Sequence, residues 1–306
     1  MASNAPINFL EQTAEFRNLE LMARQLVDGF ITGLHKSPYH GFSVEFAEHK
    51  AYNPGQSLRH IDWKLYGRTD RLYTRTYEEE TNLRCMLLVD ASPSMYYPRP
   101  GYDKLRFAVI AAACIATIVQ RQRDAVGLGI FADTMLEQTR IRSTGAHVFG
   151  MFGILQRWVQ AEPPTVQPTY VAAILHQVAE QMGQRALVVL FSDMLQPGQE
   201  DEVFAALQHL RHNKHEVLLF HTTHASTEMH LSLPDKPLLL IDAETGERMK
   251  MQPAELQEAY SKQMATWQHD IVLKCAQNRI DLVDVDVEKG ISAVLQAYLA
   301  KRARMS

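Results

Sequence analysis

The chain has 306 residues, of which 46% are hydrophobic and 22% charged, the balance of a globular protein rather than a disordered or fibrous one. Its formal net charge of -4 gives no general reason to expect nucleic-acid binding, which needs clustered positive charge. The three cysteines, Cys85, Cys114 and Cys275, are odd in number and lie in apolar runs. This pattern favours buried thiols in a reducing compartment over a disulfide framework.

The compartment is indicated by two further features. Three acidic residues, Glu11, Glu15 and Glu20, interrupt the N-terminal segment where a secretory signal requires a continuous apolar stretch. The longest apolar run, residues 107–119, is too short to cross a bilayer. We therefore expect a cytoplasmic protein without a membrane span.

Three regions follow one another along the chain. Residues 1–40 are predicted to contain one amphipathic helix, because apolar residues from Leu10 to Phe30 recur at approximately helical spacing. Residues 41–82 contain short β-like runs broken by turn residues, which indicates a small β-rich subdomain. Residues 83–306 form the third and largest region.

This largest region alternates apolar, strand-like runs with helical patterns, which is typical of a parallel sheet covered on both faces. The predicted strands are 85–90, 125–131, 186–193, 216–222 and 280–286, and the predicted helices lie near 103–122, 146–160, 170–182, 199–212, 254–277 and 291–303. Residues 133–141 are too few for a crossover helix and predict a hairpin with an antiparallel edge strand. The expected fold is a doubly wound, mostly parallel α/β sheet.

The loop after the first of these strands carries the chemistry. Asp90 ends the strand, and Ser92 and Ser94 follow it at a spacing of two. Ligands of doubly wound sheets bind outside the carboxyl ends of the strands, and hydroxyl and carboxylate oxygens are hard ligands that suit Mg²⁺. Two more oxygen donors are expected at the same crevice. Asp193 ends a later strand, and Thr169 opens a predicted helix, so that its hydroxyl could face the crevice.

This set of residues resembles the metal-ion-dependent adhesion site of von Willebrand factor A domains. The pattern of that site is D-x-S-x-S, then a Thr in a later loop, then an Asp after a later strand, and its counterparts here are Asp90, Ser92, Ser94, Thr169 and Asp193. The resemblance implies that the hydroxyls contact Mg²⁺ or Mn²⁺ directly or nearly so, and that the two acids act largely through water. It also implies that an Asp or Glu of a protein partner completes the octahedron.

A second resemblance rests on the segment upstream of that strand. The string HKAYNPGQSLRHIDWKLYGRTDRLYTRTYEEET, followed by an apolar strand and DASPSM, is similar to the bacterial family called domain of unknown function 58. The likeness covers roughly residues 40–302. It implies a von Willebrand factor A-like domain that acts as an adaptor or cochaperone beside a MoxR-type AAA+ ATPase.

Other interpretations of these motifs remain open. Asp90, Ser92 and Ser94 could instead satisfy backbone N–H groups in a strand-to-helix loop. Two other possibilities are a metal-dependent phosphoester hydrolase, against which the lack of an evident general base counts, and a structural scaffold with an empty metal site. The sequence best supports a non-enzymatic, metal-dependent adaptor that binds a protein with an acidic residue.

Two further groups of residues could belong to functional sites, but this explanation is less favoured for both. Arg59, Asp62 and Trp63 could form a partner surface, but an internal pair and a buried Trp that attach the β-rich region are favoured. His209 and His212 lie three apart on a predicted helix, a spacing that zinc can use. Without a matching Cys or carboxylate quartet, zinc is the less favoured explanation.

Overall fold

A computed structural model describes residues 18–35, 49–51, 67–68, 73–75, 83–99, 102–163, 170–183, 185–195, 199–243 and 245–305. The chain divides into two compact units, one formed by Met1–Phe30 with Leu83–Ser306 and the other by Ile31–Asn82. In the second unit, β1 (His49–Ala51) pairs antiparallel with β2 (Tyr73–Arg75). Arg59, Asp62 and Trp63 lie outside the described residues.

The first unit is built on a six-stranded sheet. Its strands are β3 (Arg84–Asp90), β4 (Ala125–Phe131), β5 (Met135–Gln138), β6 (Leu187–Ser192), β7 (Glu216–Thr223) and β10 (Asp281–Asp286). Their order across the sheet is β10-β7-β6-β3-β4-β5, and every neighbouring pair is parallel except β4 with β5. The prediction of a doubly wound sheet with one antiparallel edge strand is confirmed.

Seven helices of the described residues accompany the strands. They are α1 (Leu19–His35), α2 (Lys104–Arg121), α3 (Gly145–Val159), α4 (Val171–Gln181), α5 (Glu200–His212), α6 (Pro253–Gln277) and α7 (Ser292–Met305). Helix α2 packs against α3 and α7, whereas α4 packs against α5. The helices therefore form separate layers, which leaves the strand ends as the open rim of the sheet.

The central strands are buried on both faces, which explains why they appear in the sequence as continuous apolar runs. In β3, Met86 and Leu88 belong to the hydrophobic core that includes residues of α4 and α5, while Leu87 alternates to the opposite face. The neighbouring strand comes close at Gly129, where an added Cβ would lie 2.8 Å from Cδ2 of Leu88. A side chain at position 129 would therefore require Leu88 to shift within the packed core.

The segment between β7 and α6 contains three short elements that are not among the predicted strands and helices. A π-helical turn, Ala225–Met229, directly follows the strand, and a two-stranded hairpin follows it, formed by β8 (Leu238–Ile241) and β9 (Arg248–Met251). Helix α6 then begins at Pro253, a residue well suited to a first helical position. The π-helical turn brings residues from the end of β7 to the rim of the sheet.

The structure also shows the state of the cysteines and the apolar character of the helices. All three cysteines are free and buried, as the apolar surroundings in the sequence predicted. Across the part of the chain that the structure describes, no helix has the length and apolar composition needed to cross a membrane.

Candidate metal centre at the strand ends

The strand order brings Asp90 and Asp193 to one place. β3 pairs in parallel with β6, and Val89 lies opposite Phe191, so the residues that follow leave the sheet at the same edge. This is the position where the chain reverses its direction of winding, between the first strand of the sheet and the strand added after the β4–β5 hairpin. The structure thus assembles Asp90, Ser92, Ser94 and Asp193, four of the five predicted ligands, at the expected location.

Asp90 is almost fully buried and is held by hydrogen bonds on both carboxylate oxygens. The backbone N–H of Ser92 donates to Oδ1 at 2.9 Å, and the hydroxyl of Ser192 donates to Oδ2 at 2.7 Å. The Ser192 hydroxyl in turn accepts a hydrogen bond from the N–H of Met194 at 3.1 Å. These contacts fix the carboxylate in one orientation at the strand end.

The two loop serines lie side by side. Their hydroxyl oxygens, Oγ of Ser92 and Oγ of Ser94, are 3.1 Å apart, and the short 3₁₀ turn Pro93–Tyr96 holds their backbones. The turn closes where the N–H of Met95 donates to the carbonyl of Ser92 at 3.0 Å. The spacing of two residues thus places both hydroxyls on the same side of the loop.

Asp193 is also buried, and its contacts come from three directions. Its Oδ1 accepts from the N–H of Leu195 at 3.1 Å, and its carboxylate is hydrogen-bonded to the side chain of Ser94. Its Oδ2 accepts from Nζ of Lys104 at 2.8 Å. The next residue, Met194, has a positive φ of 55°, a backbone conformation that is uncommon outside glycine and that often occurs at functional sites.

Lys104 lies in the first turn of α2 and is completely buried. Its ammonium contacts Glu228 as well as Asp193. Glu228 belongs to the π-helical turn, and its other oxygen, Oε2, accepts from the N–H of His224 at 2.7 Å. Tyr260 of α6 donates its hydroxyl to the carbonyl of Glu228 at 2.9 Å. The site is therefore tied through Lys104 to the segment that follows β7.

The electrostatics of the two aspartates differ because, among the described residues, Lys104 pairs with Asp193 and no cation pairs with Asp90. Burial, followed by repulsion from Asp193, raises the pKa of Asp90 to about 7 against the hydrogen bonds from Ser192 and Ser92. Burial also acts to raise the pKa of Asp193, but the Lys104 ammonium together with the hydrogen bonds from Leu195 and Ser94 outweighs it, so that this pKa lies below its ordinary value. Among the described residues of the site, Asp90 is thus a buried carboxylate that is paired with neutral donors and not with a cation.

Two further candidates from the sequence are the fifth predicted ligand, Thr169, and the histidine His209. Thr169 lies outside the described residues, directly before Tyr170. The Nδ1 atom of His209 lies 3.0 Å from Nδ1 of His176 on α4. Among the described residues, no group of three or more His, Cys, Asp or Glu is arranged to hold a metal. The strand-end site is not a group of that kind, because its two closest oxygen donors are the hydroxyls of Ser92 and Ser94.

Sequence reasoning missed three members of this site, Ser192, Lys104 and Glu228. Ser192 directly precedes Asp193 and could have been included as a strand-end hydroxyl. Lys104 carried a weak signal, because a lysine in the first turn of a helix is unfavourable next to the positive end of the helix dipole. Glu228 carried no such signal in the sequence.

Comparison with known proteins places the chain in a family. The family described as "Protein of unknown function DUF58" matches residues 48–270, most of the chain. The chain belongs to this family. Two relatives, Uncharacterized protein Rv1480 of Mycobacterium tuberculosis and Uncharacterized protein Mb1516 of Mycobacterium bovis, are each 26% identical over 294 residues, which span 95% of this chain and 90% of theirs. The names of these relatives state no activity.

Solved structures offer more distant likenesses to this member of the family. The conserved hypothetical protein BatB from Bacteroides thetaiotaomicron is 14% identical, with 72% of this chain and 99% of that chain covered and a TM-score of 0.40. The pilus adhesin SpaC from Lactobacillus rhamnosus GG is 13% identical, with 73% and 30% covered and a TM-score of 0.41. Likenesses this remote do not transfer a function.

Proposed function

We propose that this protein is a non-enzymatic adaptor that binds a protein partner through a divalent cation, Mg²⁺ or Mn²⁺, at the carboxyl ends of β3 and β6. Ser92 and Ser94 would be direct ligands, with Thr169 as a third donor. Asp90 and Asp193 would act largely through water. An acidic side chain of the partner would complete the coordination.

The distance between the two serine hydroxyls carries this proposal. Two neighbouring ligands of an octahedral Mg²⁺ ion, each about 2.1 Å from the metal, lie about 3.0 Å apart. The Oγ atoms of Ser92 and Ser94 are 3.1 Å apart without any adjustment of the loop. Backbone capping alone requires no such pairing of hydroxyls, because it uses each side chain separately.

The charges of the donor set favour binding over hydrolysis. Hydroxyl ligands are neutral, so a cation held mainly by them keeps a strong attraction for an incoming carboxylate. A hydrolase would need a general base near the nucleophile. In the described part of the site, the Ser92 side chain is hydrogen-bonded to Asp90 and the Ser94 side chain to Asp193, two carboxylates that the proposal assigns to holding the cation.

The class of partner follows from the family resemblance. Members of the family resemble adaptors that act beside MoxR-type AAA+ ATPases, so the proposed partner is such an ATPase or its client, with an exposed Asp or Glu. We propose a cytoplasmic location because the three cysteines are buried free thiols, which fit a reducing compartment.

The proposal is tested by capture of partners on the immobilised full chain from native lysate, with Mg²⁺ or with EDTA. We expect a MoxR-type ATPase or its client in the Mg²⁺ sample only. Ser94→Ala should lose this capture, while Ser143→Ala, which changes an exposed serine next to Arg142 at the opposite end of β4, should retain it. Purified partner must then bind directly and with the same dependence. Equal binding in EDTA, or by Ser94→Ala, would contradict the proposal.

A further inference from the structure

The buried lysine of the site has no counterpart among the five predicted metal ligands. Lys104 has no exposed surface, and its Nζ contacts Oδ2 of Asp193 at 2.8 Å and a carboxylate oxygen of Glu228. Burying an ammonium is strongly unfavourable unless carboxylates compensate it. The two contacts supply that compensation, so Lys104 stays charged inside the site.

The position of Lys104 within α2 supports a role set by the site. It lies in the first turn of the helix, next to the N-cap residue Asp103, where the helix dipole disfavours a cation. The remainder of the helix is mostly apolar and buried. Local helix preferences therefore do not account for a buried lysine here, whereas Asp193 and Glu228 do.

Lys104 and Glu228 have opposite effects on the charge that a metal ion would meet. Among the described residues of the site, Asp90, Asp193 and Glu228 carry carboxylates and Lys104 carries the ammonium. The ammonium repels a divalent cation near Asp193, and the carboxylate of Glu228 attracts it. Lys104 is fully buried and the side chain of Glu228 is 16% exposed, so these interactions are screened less than those between surface charges.

We infer that Lys104 and Glu228 together set the affinity of this site for its divalent cation, Lys104 lowering it and Glu228 raising it. This inference rests on the proposed function of the site. Neither residue is a metal ligand in this scheme, and each acts by its charge. A cation that the protein alone holds weakly is retained better after a partner carboxylate adds a negative charge, so metal binding and partner binding strengthen each other.

A structural role for the same ion pairs makes different predictions. If Lys104 only holds Asp193 in place, its removal should disorder a ligand and weaken metal binding. If it acts by charge, its removal should strengthen metal binding. The direction of the change therefore separates the two roles.

The experiment measures Mn²⁺ binding to the full chain by isothermal titration calorimetry at constant neutral pH. Lys104→Met should bind Mn²⁺ roughly tenfold more tightly and Glu228→Gln roughly tenfold more weakly, the size expected for one unit charge several ångströms away. The double variant Lys104→Met/Glu228→Gln has the same net charge as the native site and should bind within about threefold of it. Lys274→Met is the matched control, because Lys274 pairs with Asp201 on the surface, and it should bind as the native chain does.

Folding of each variant is checked by its thermal transition in EDTA. Lys104→Met leaves Asp193 and Glu228 without their cation and is the variant most prone to unfold, but Glu228→Gln and the double variant still decide the question. Native affinity in Glu228→Gln would overturn the inference. So would weaker binding in a folded Lys104→Met, or a double variant that binds more weakly than Glu228→Gln.

Failure of the inference is distinguishable from failure of the proposed function. If the native chain binds Mn²⁺ and Asp90→Asn does not, but affinity stays constant across the charge series, only the inference is wrong. If neither the native chain nor Lys104→Met binds Mn²⁺, both are wrong.

Discussion

Nζ of Lys104 and Oδ2 of Asp193 form a buried ion pair of 2.8 Å across 89 residues of chain at the rim of the sheet. The pair gives Asp193 a permanent counter-charge. Asp90, on the neighbouring strand, is held by neutral donors and repelled by Asp193, with a pKa raised to about 7. The two acids of the proposed site are therefore not equivalent, and their substitution should have different consequences.

Asp90→Asn should leave the metal-free protein at neutral pH at least as stable as the native chain. The substitution removes a buried charge, and the Asn amide can donate to the Ser192 hydroxyl where Asp90 accepts from it. Millimolar Mg²⁺ or Mn²⁺ should raise the melting temperature of the native chain, because a ligand that binds only the folded state stabilises it, and should not raise that of the variant. Differential scanning fluorimetry measures both effects, and a full metal response in Asp90→Asn would remove this residue from the site.

Ser192→Ala should destabilise the protein. The Ser192 hydroxyl donates to Asp90 and accepts from the N–H of Met194, and both partners are buried. Leaving such groups without partners costs about 1–3 kcal/mol of unfolding free energy. Urea denaturation should show this loss, and Ser232→Ala, at an exposed position, should change stability by less than about 0.5 kcal/mol. Similar values for the two variants would show that the Ser192 contacts contribute little.

His215 should make the protein less stable in mild acid. Burial, with Arg84 adding to it, lowers the pKa of this ring below its ordinary value of 6.5, and Nδ1 of the ring accepts from the N–H of Ala186 at 3.2 Å. As the pH falls below 6.5, the unfolded chain binds a proton that the folded chain still excludes, so stability present above that pH is lost.

The pH effect is measured as the melting temperature over the range from neutral pH to mild acid. His215→Asn keeps an acceptor near the position of Nδ1 and does not titrate, so its melting temperature should fall less than that of the native chain. His269→Asn changes an exposed histidine and should keep the native slope. Equal slopes in all three proteins would exclude His215 as the source.

Ser94→Ala and Thr169→Ala should weaken partner binding strongly and leave most of the thermal stability intact, because the loss falls on metal position and not on core packing. Once the partner is identified, replacing its critical Asp or Glu by Asn or Gln should cause a similar loss. Combining that change with Ser94→Ala should add little, since both break one metal-mediated link. Fully additive losses in the binding free energy would refute a metal bridge.

Much of the fold follows from the sequence, because strands buried on both faces must be continuously apolar and helices that cover them must be periodic. The strand Ala125–Phe131 has the predicted bounds, and β7 extends one residue beyond its prediction. The elements between β7 and α6 could not be predicted in this way. Its π-helical turn is stabilised by single distant contacts, such as the Tyr260 hydroxyl with the Glu228 carbonyl, and these leave no repeating pattern.

The residues of the candidate site fall into the same two groups, those that follow from the strand pattern and those that depend on long-range contacts. Asp90, Ser92 and Ser94 were predictable because Asp90 ends an apolar strand and the two serines lie within the four residues after it. Asp193 was predictable because the carboxyl ends of neighbouring parallel strands share one edge.

The tertiary structure alone determined the roles of Lys104 and Glu228, which lie 124 residues apart in the chain. Lysine and glutamate are the residue types least expected in a core, and only paired opposite charges offset the unfavourable loss of hydration when they are buried. The sequence contains these two residues, but it shows neither that the fold buries them nor which partners it brings to them.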